Sequence, residues 1–412
     1  MRVLLVGHAC SPVRGSEHAI TWGWAWHLSA FHKVWLISHP QCREEVEEFL
    51  TQHPNPNLRC VWVTPSSKLD YWNPAQGDRG LWLHYLLWQR AVFKEASRIC
   101  GMHRFDVAHQ VSLGTVIAPP LLWRLPAPFI WGPVGGGQTA PPTFRSYFGI
   151  SWPKEAIRNL RTRLLPFLPA LRRAVHRSAT ILAANQETAR LLEKVGAQRV
   201  RLFCDSGSLA DHMPANLPKR EHREECILLW AGRLEHRKAL PLSLEALAQI
   251  GNLPVRLLVA GDGPLRAEWE GLADSLGVKG RVQFLGRVTW EKMTELYRQA
   301  DIFLFTSLRD TFGSQVLEAM AQALPIIALD HHGVRDFVPP EAGFKVPVTT
   351  PDQTVAALAQ AIRLLVQSSD VRYRMGEFAL AYAKEQTWTR RVEQVNRCYE
   401  ECVSRQRSKS SI

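Results

Sequence analysis

The sequence predicts an α/β protein made of two doubly wound, Rossmann-like halves facing a central cleft, and three observations lead there. The chain has 412 residues, too many for one ordinary core and enough for two domains of roughly 200 residues. Short continuous apolar runs alternate with amphipathic stretches along both halves; that is the pattern of parallel strands buried on both faces and joined by helices. From 204 to 225 the alternation gives way to CDSGSLADHMPANLPKREHREE, whose glycine, prolines and charge cluster mark an interdomain linker.

In the first half the strand candidates are VLLV at 3–6, VWLIS at 34–38, CVWV at 60–63, FIW at 129–131 and TIL at 180–182. Leu81, Tyr85, Trp88, Val92 and Ile99 keep intervals of three, four and seven, which places a helix over 81–99. The second half restarts with ILLWA at 227–231, VRLLVA at 255–260, VQFL at 282–285, IFLF at 302–305 and PIIAL at 325–329. Helical spacing fills 264–277, 290–299 and 313–323, and a last helix runs from Trp388 to about Ser404, before a basic tail. The expected division is a first domain over 1–205, a linker over 206–225, a second domain over 226–385, and a final segment, 386–412, whose helix crosses back to the first.

Composition narrows the partners. The chain is 46% hydrophobic and 21% charged, the balance of a globular protein, and its net charge of +12 makes some surface attractive to anions. MRVLLVG lacks a cleavage region, and no later run approaches the eighteen or so apolar residues of a spanning helix. Eight cysteines are scattered without CxxC spacing, which argues against zinc and redox sites and, with no leader, points to a reducing cytosol. No nucleic-acid-binding module is recognisable, so nucleic acid is not an expected partner.

The strongest chemical signal is ADIFLFTSLRDTFGSQVLEAMAQALPIIALD, over 300–330. A buried strand ends in a polar turn, Gly313 opens a helix, and the helix N-terminus offers free amides to a phosphate; Gly313, Ser314 and the amides of Val316 and Leu317 are the candidates. Asp310 before the helix and Glu318 within it can face different parts of one ligand, since carboxylates accept strong charged hydrogen bonds from vicinal hydroxyls. The same residues would equally suit a cap and a buried helix carboxylate. In WAGRLEHRKAL, at 230–240, Arg233 and Lys238 follow a buried strand, where a planar fork and a point charge can clamp a diphosphate.

With seven residues between them, Asp310 and Glu318 make this segment similar to the E-x7-E signature of the retaining glycosyltransferases of family 4, with aspartate in place of the first glutamate. WAGRLEHRKAL resembles the GRL...K motif of that family, and VAGDGPLR at 259–266, VQFLGRV at 282–288 and the final WTRRVEQV helix follow in family order. The resemblance implies the GT-B fold and transfer of a sugar, with retention, from a nucleotide-diphosphate-sugar donor to a saccharide or lipid-linked acceptor, in cell-surface or exopolysaccharide synthesis. It implies that Arg233 and Lys238 neutralise the diphosphate, that Glu318 holds the ribose, that Asp310 reaches the transferred sugar, and that Gly286 and Arg287 lie near the base. It implies no metal and no cofactor besides the donor itself.

In the first domain, CSPVRGSEHAITWGW places Gly15 and Ser16 before a helix, a candidate amide cradle. FDVAHQVS offers His109 where the family carries a DxxHxH-like strand end, with Val111 at the second site; a hydrogen-bonded core imidazole fits as well. Gly135, Gly136 and Gly137 in FIWGPVGGGQTAP allow close backbone approach, read as lining for the acceptor and the cleft or as a lid. The segment 151–178 carries Lys154, Arg158, Arg161, Arg163, Arg172, Arg173 and Arg177 against Glu155, interleaved with leucines, Trp152 and Phe167. Such a surface suits an anionic membrane on the cytoplasmic face. The competing readings are an epimerase or phosphorylase of the same architecture and a non-catalytic nucleotide-sugar-binding subunit.

Overall fold

The computed structural model describes residues 1–15, 17–66, 70–73, 80–208, 213–215, 217–218 and 224–410. The linker expected at 206–225 lies largely outside the described residues. The chain divides into two compact units, one formed by 1–137, 162–207 and 388–412, the other by 138–161 and 208–387. The segment 138–161 therefore packs with the second half, whereas the sequence division placed it in the first. The cause is local: Phe144 and Phe148, fully buried, fill the same core as Leu234, Leu240 and Leu244.

In the first unit, elements run β1 (Arg2–Val6), α1 (Glu17–Ser29), β2 (Lys33–Ser38), α2 (Arg43–Gln52), β3 (Leu58–Trp62), α3 (Leu81–Met102), β4 (Val107–Gln110) and β5 (Phe129–Val134). After α4 (Trp152–Leu164), which begins in the second unit, come α5 (Pro169–Arg177), β6 (Thr180–Ala183), α6 (Gln186–Val195) and β7 (Val200–Leu202). These seven strands form one parallel sheet in the order β3-β2-β1-β4-β5-β6-β7. Val3 to Val6 are fully buried, as a central strand covered on both faces must be. One face carries Tyr85, Trp88, Val92 and Ile99 of α3 with Leu171 and Leu192. α6 is bounded by Asn185, whose side chain accepts from the Thr188 amide, and by Gly196 at φ 101°; these are the standard polar start and left-handed glycine stop.

The second unit runs β8 (Cys226–Ala231), α7 (Leu240–Gln249), β9 (Val255–Ala260), α8 (Arg266–Ser275), β10 (Val282–Gly286), α9 (Trp290–Gln299), β11 (Ile302–Phe305), α10 (Ser314–Ala321), β12 (Ile326–Leu329), α11 (His332–Phe337), β13 (Gly343–Val346), α12 (Pro351–Gln367) and α13 (Ser369–Glu385). Its parallel sheet has the order β10-β9-β8-β11-β12-β13. Chain direction across the sheet reverses between β8 and β11, as it does between β1 and β4 in the first unit. In open α/β sheets such reversals open a crevice at the carboxyl ends of the strands.

The last helix, α14 (Trp388–Ser410), returns to the first unit against α1. Trp388 is 6% exposed and fits there because Gly23 and Gly207 have no side chain: a Cβ at either would lie 2.3 or 2.8 Å from its ring. Truncating a tryptophan so enclosed costs about 3–5 kcal/mol. Trp388→Ala should therefore lower the denaturant midpoint of the first unit by that equivalent, and a change within error would mean that α14 contributes little to its core.

Candidate functional site

The second unit brings most of the predicted donor residues to the loops after β8 and β11. These strands are adjacent, and their loops are bound to each other: the Leu308 amide donates to the Arg237 carbonyl at 2.8 Å, and the Thr306 hydroxyl donates to the Lys238 and Ala239 carbonyls at 3.3 and 3.1 Å. The turn at His236–Lys238 is closed by Ala239 at φ 45°, a left-handed conformation that this network maintains. The Trp230 indole, donating to Thr306 at 3.1 Å, completes the tie.

This junction places Lys238 directly against Asp310. The Lys238 ammonium is buried, donates to the Asp310 carboxylate, and lies 5.4 Å from the centre of the Phe305 ring. Arg237 also reaches Asp310, at 3.4 Å, and pairs with Glu235 at 2.7 Å. Burial by itself would raise the Asp310 pKa, but Lys238 and Arg237 outweigh it and hold the carboxyl well below the usual range. Arg233, in contrast, is exposed and makes no side-chain hydrogen bond or ion pair among the described residues. Lys238 and Arg233 thus differ: one cation is already matched to a carboxylate, and the other is open to an incoming anion.

Glu318 is the fifth of the eight residues of α10 and accepts a hydrogen bond from Tyr297 of α9 at 2.9 Å; burial raises its pKa above the ordinary carboxylate value. Gly313 adopts φ 101°, and a Cβ there would lie 2.6 Å from the Phe305 ring, so both backbone and packing require glycine. The Val316 amide donates to the Gly313 carbonyl at 3.0 Å and is not available as a phosphate donor, which corrects that part of the predicted cradle. Val316 and Leu317 instead bury their side chains in the core, and the amides of Ser314 and Gln315, two residues earlier, make no backbone hydrogen bond outside the helix. Gly286 sits at φ 72° at the end of β10, its carbonyl accepting from Gly261, and Arg287 beside it is exposed.

Sequence reasoning missed a layer behind Asp310. Glu155 of α4, 8% exposed, pairs with Arg309 at 2.5 Å and with Arg158 at 3.7 Å. Gln138 donates to the Thr311 hydroxyl at 3.2 Å, and His331 to the Ser307 carbonyl at 2.7 Å. Arg158, read as part of a basic surface for an anionic membrane, is thus turned inward; burial and then the neighbouring Arg309 pull its pKa down to about 10. The signal in the sequence was Glu155 itself, the single acid in a basic run.

The candidates of the first unit meet a different outcome. His109 is fully buried: Nε2 donates to the Gly132 carbonyl at 2.6 Å, and Nδ1 accepts from the Tyr399 hydroxyl at 2.6 Å. Both ring nitrogens are used and burial pushes its pKa down to about 4, so the structure gives it the core role and corrects the catalytic one. Gly135 pairs with Gly114 and Thr115, Gly136 at φ 104° packs on Val116, and a Cβ on Gly137 would lie 2.6 Å from the Thr188 backbone. The close approach that these glycines allow is made to their own unit. Gly15 is exposed in open space, Ser16 lies outside the described residues, and the loop before them is tied down by Arg14 on Glu45. None of the eight cysteines forms a disulfide.

Removing one partner of a buried ion pair costs about 3–5 kcal/mol, here reduced by the partial exposure of Asp310. Asp310→Asn should lower stability by about 2–3 kcal/mol near neutral pH. Because the folded carboxyl has the lower pKa, that difference is complete above the unfolded value and shrinks as pH falls through it toward the folded one. Melting temperatures of both proteins between pH 7 and 3 test this; a gap that widens with acid would contradict the ion-pair assignment.

Comparisons with known proteins bear on the family and the fold. Residues 215–381 match the family described as Glycosyl transferases group 1. An uncharacterized glycosyltransferase of Methanocaldococcus jannaschii is 32% identical over 131 residues, covering 31% of this chain and 34% of that one. The D-inositol 3-phosphate glycosyltransferase of Corynebacterium efficiens is 28% identical over 248 residues, 55% of this chain and 58% of its own. The chain thus spans between a third and three fifths of the length of these curated relatives. Among solved structures, sucrose-phosphate synthase from Thermosynechococcus elongatus is similar with a TM-score of 0.67 at 20% identity, covering 98% of this chain and 99% of that one. HepE of Anabaena in complex with UDP gives 0.64 at 16%, covering 97% and 100%. Residues 215–381 thus match the glycosyl transferases group 1 model, and the two sheets are those of the GT-B fold.

Proposed function

We propose that the chain is a retaining glycosyltransferase that needs no metal and moves a sugar from a nucleoside-diphosphate sugar to a saccharide or lipid-linked acceptor in cell-surface or exopolysaccharide synthesis. The observation that carries this reading is the junction of the β8 and β11 loops, where Lys238 pairs with Asp310 at the turn before α10, the helix that carries Glu318, with Arg233 on the same β8 loop. Arg233 and Lys238 take the diphosphate, with the Ser314 and Gln315 amides at the positive end of α10. Glu318 takes the ribose hydroxyls, and Asp310, oriented by Lys238, takes the hydroxyls of the transferred sugar.

In the transfer, the bond from the anomeric carbon to the diphosphate oxygen breaks with its electron pair going to the diphosphate. The acceptor oxygen bonds to the same face of that carbon and gives its proton to the departing phosphate. Fixed cations stabilise the charge that develops on the leaving group, and a pre-organised site makes this the largest electrostatic contribution to rate. The UDP held by HepE makes UDP-glucose the first donor to test.

We place the acceptor at a membrane surface. On α4, Ile157, Leu160 and Leu164 are exposed at 68%, 56% and 53% along one face, accompanied by exposed Lys154, Arg161 and Arg163. An apolar stripe bordered by cations suits an anionic bilayer. Among the described residues no helix is long and apolar enough to cross one.

Three outcomes check the reading. UDP-glucose should raise the melting temperature of the protein, and Lys238→Ala should lower transfer by about 10²–10³-fold, as loss of one charge-stabilising group does. Chelation with EDTA should leave the rate unchanged. Firm donor binding without turnover toward any acceptor would favour the non-catalytic subunit instead. Sedimentation with phosphatidylglycerol vesicles should fall when Arg161 and Arg163 become glutamate, and vesicle binding unchanged by those substitutions would remove the membrane from the account.

A further inference from the structure

Behind Glu318 stands a residue to which the transfer itself gives no role. Tyr297 lies in the last turn of α9, its side chain 3% exposed and its ring packed on Phe303 of β11 with centres 5.8 Å apart. Packing therefore fixes where the phenol oxygen sits, and it donates to Oε2 of Glu318 at 2.9 Å. Burial lifts the Tyr297 phenol well above its ordinary pKa, so it keeps its proton and stays a donor.

The two carboxylates of the site differ in what they face. Asp310 is matched by Lys238 and approached by Arg237. Glu318 makes no ion pair among the described residues; against the burial that raises its pKa stand only hydroxyls, that of Tyr297 and then that of Ser314, one turn earlier on the same helix. A carboxylate has about four lone-pair positions. Tyr297 takes one and Ser314 at most one more, and the two that remain equal the hydroxyls of a cis diol. A glutamate side chain is among the costliest to order on binding, and a fixed donor on one of its oxygens orders it beforehand.

We infer that Tyr297 is a positioning residue that makes the site select ribonucleotides over 2′-deoxynucleotides. By holding Oε2 it turns Glu318 so that both hydroxyls of a 2′,3′-diol donate to the carboxylate at once. A single hydroxyl can be met by either oxygen in several orientations and gains little from that order; a diol needs the one orientation. Tyr297 acts only through Glu318 and touches no substrate atom. The inference deepens, and rests on, the reading that Glu318 receives the donor ribose. If the same bond served only to join α9 to α10, its loss would weaken both kinds of nucleotide alike.

The test is calorimetric titration of the full chain with UDP and GDP and with the 2′-deoxy form of each, the tighter pair then serving for the variants. The native protein should favour the ribonucleotide by about tenfold, as one hydrogen bond to a charged group does. Tyr297→Phe keeps the ring and removes only the hydroxyl. It should weaken the ribonucleotide by about threefold to tenfold, the cost of ordering one flexible side chain, and the 2′-deoxynucleotide by less than about twofold. Glu318→Gln should remove most of the preference, and adding Tyr297→Phe to it should lower affinity no further, because the two residues act as one unit. Equal weakening of both nucleotides by Tyr297→Phe, or none, overturns the inference, and a preference lost in Glu318→Gln then leaves the ribose reading standing. A native protein that binds neither nucleotide, or binds the ribo and deoxy forms alike, overturns both.

Discussion

The arrangement of the second unit depends on one constraint: the loops after β8 and β11 are joined by one backbone hydrogen bond and by the hydroxyls of Thr306 and Ser307, all onto carbonyls of 237–239. The Arg237 carbonyl is held by Leu308 and Ser307, and those of Lys238 and Ala239 by Thr306. With the backbones locked in this way, Lys238 and Asp310 meet at hydrogen-bond distance although 72 residues separate them. A buried ammonium needs a partner, and Asp310 supplies it. The site is therefore organised by the protein's own contacts. In the proposed function a donor diphosphate would compete with Asp310 for Lys238 and meet Arg233 without such competition.

A second layer makes the first one rigid. Glu155 holds Arg309, Gln138 holds Thr311, and His331 holds the carbonyl of Ser307, so the turn leading to Asp310 is supported from the segment 138–161, from β12 and from β8. Pre-organisation of this kind is what allows charged groups to favour a transition state without reorganising during the reaction. The segment 138–161 is thus structural support for the donor unit, although it lies among residues of the first half of the chain.

The sequence revealed the fold wherever strands are long apolar runs. VLLV, ILLWA and IFLF are buried on both faces, and a continuous apolar run has few other uses. It did not reveal β7 or β13, because VRL and GFKV are short strands at sheet edges with polar residues among them. Arg233, Lys238, Asp310 and Glu318 were legible through ordered local motifs. Glu155 and Tyr297 were not, since their partners, Arg309 and Glu318, are set by tertiary packing over intervals of 154 and 21 residues that no local spacing encodes. His109 shows the opposite failure: its position at a strand end suggested chemistry, but Tyr399, 290 residues away, and Gly132 take both of its nitrogens.

The central claim is that the joined loops of the second unit hold the donor diphosphate. Hydrogen–deuterium exchange with and without UDP tests it most directly. The account predicts slower exchange at 231–239 and 306–318 on adding UDP, with the amides of Ser314 and Gln315 among the most protected. Protection confined to other segments, with those two stretches unchanged, would contradict it.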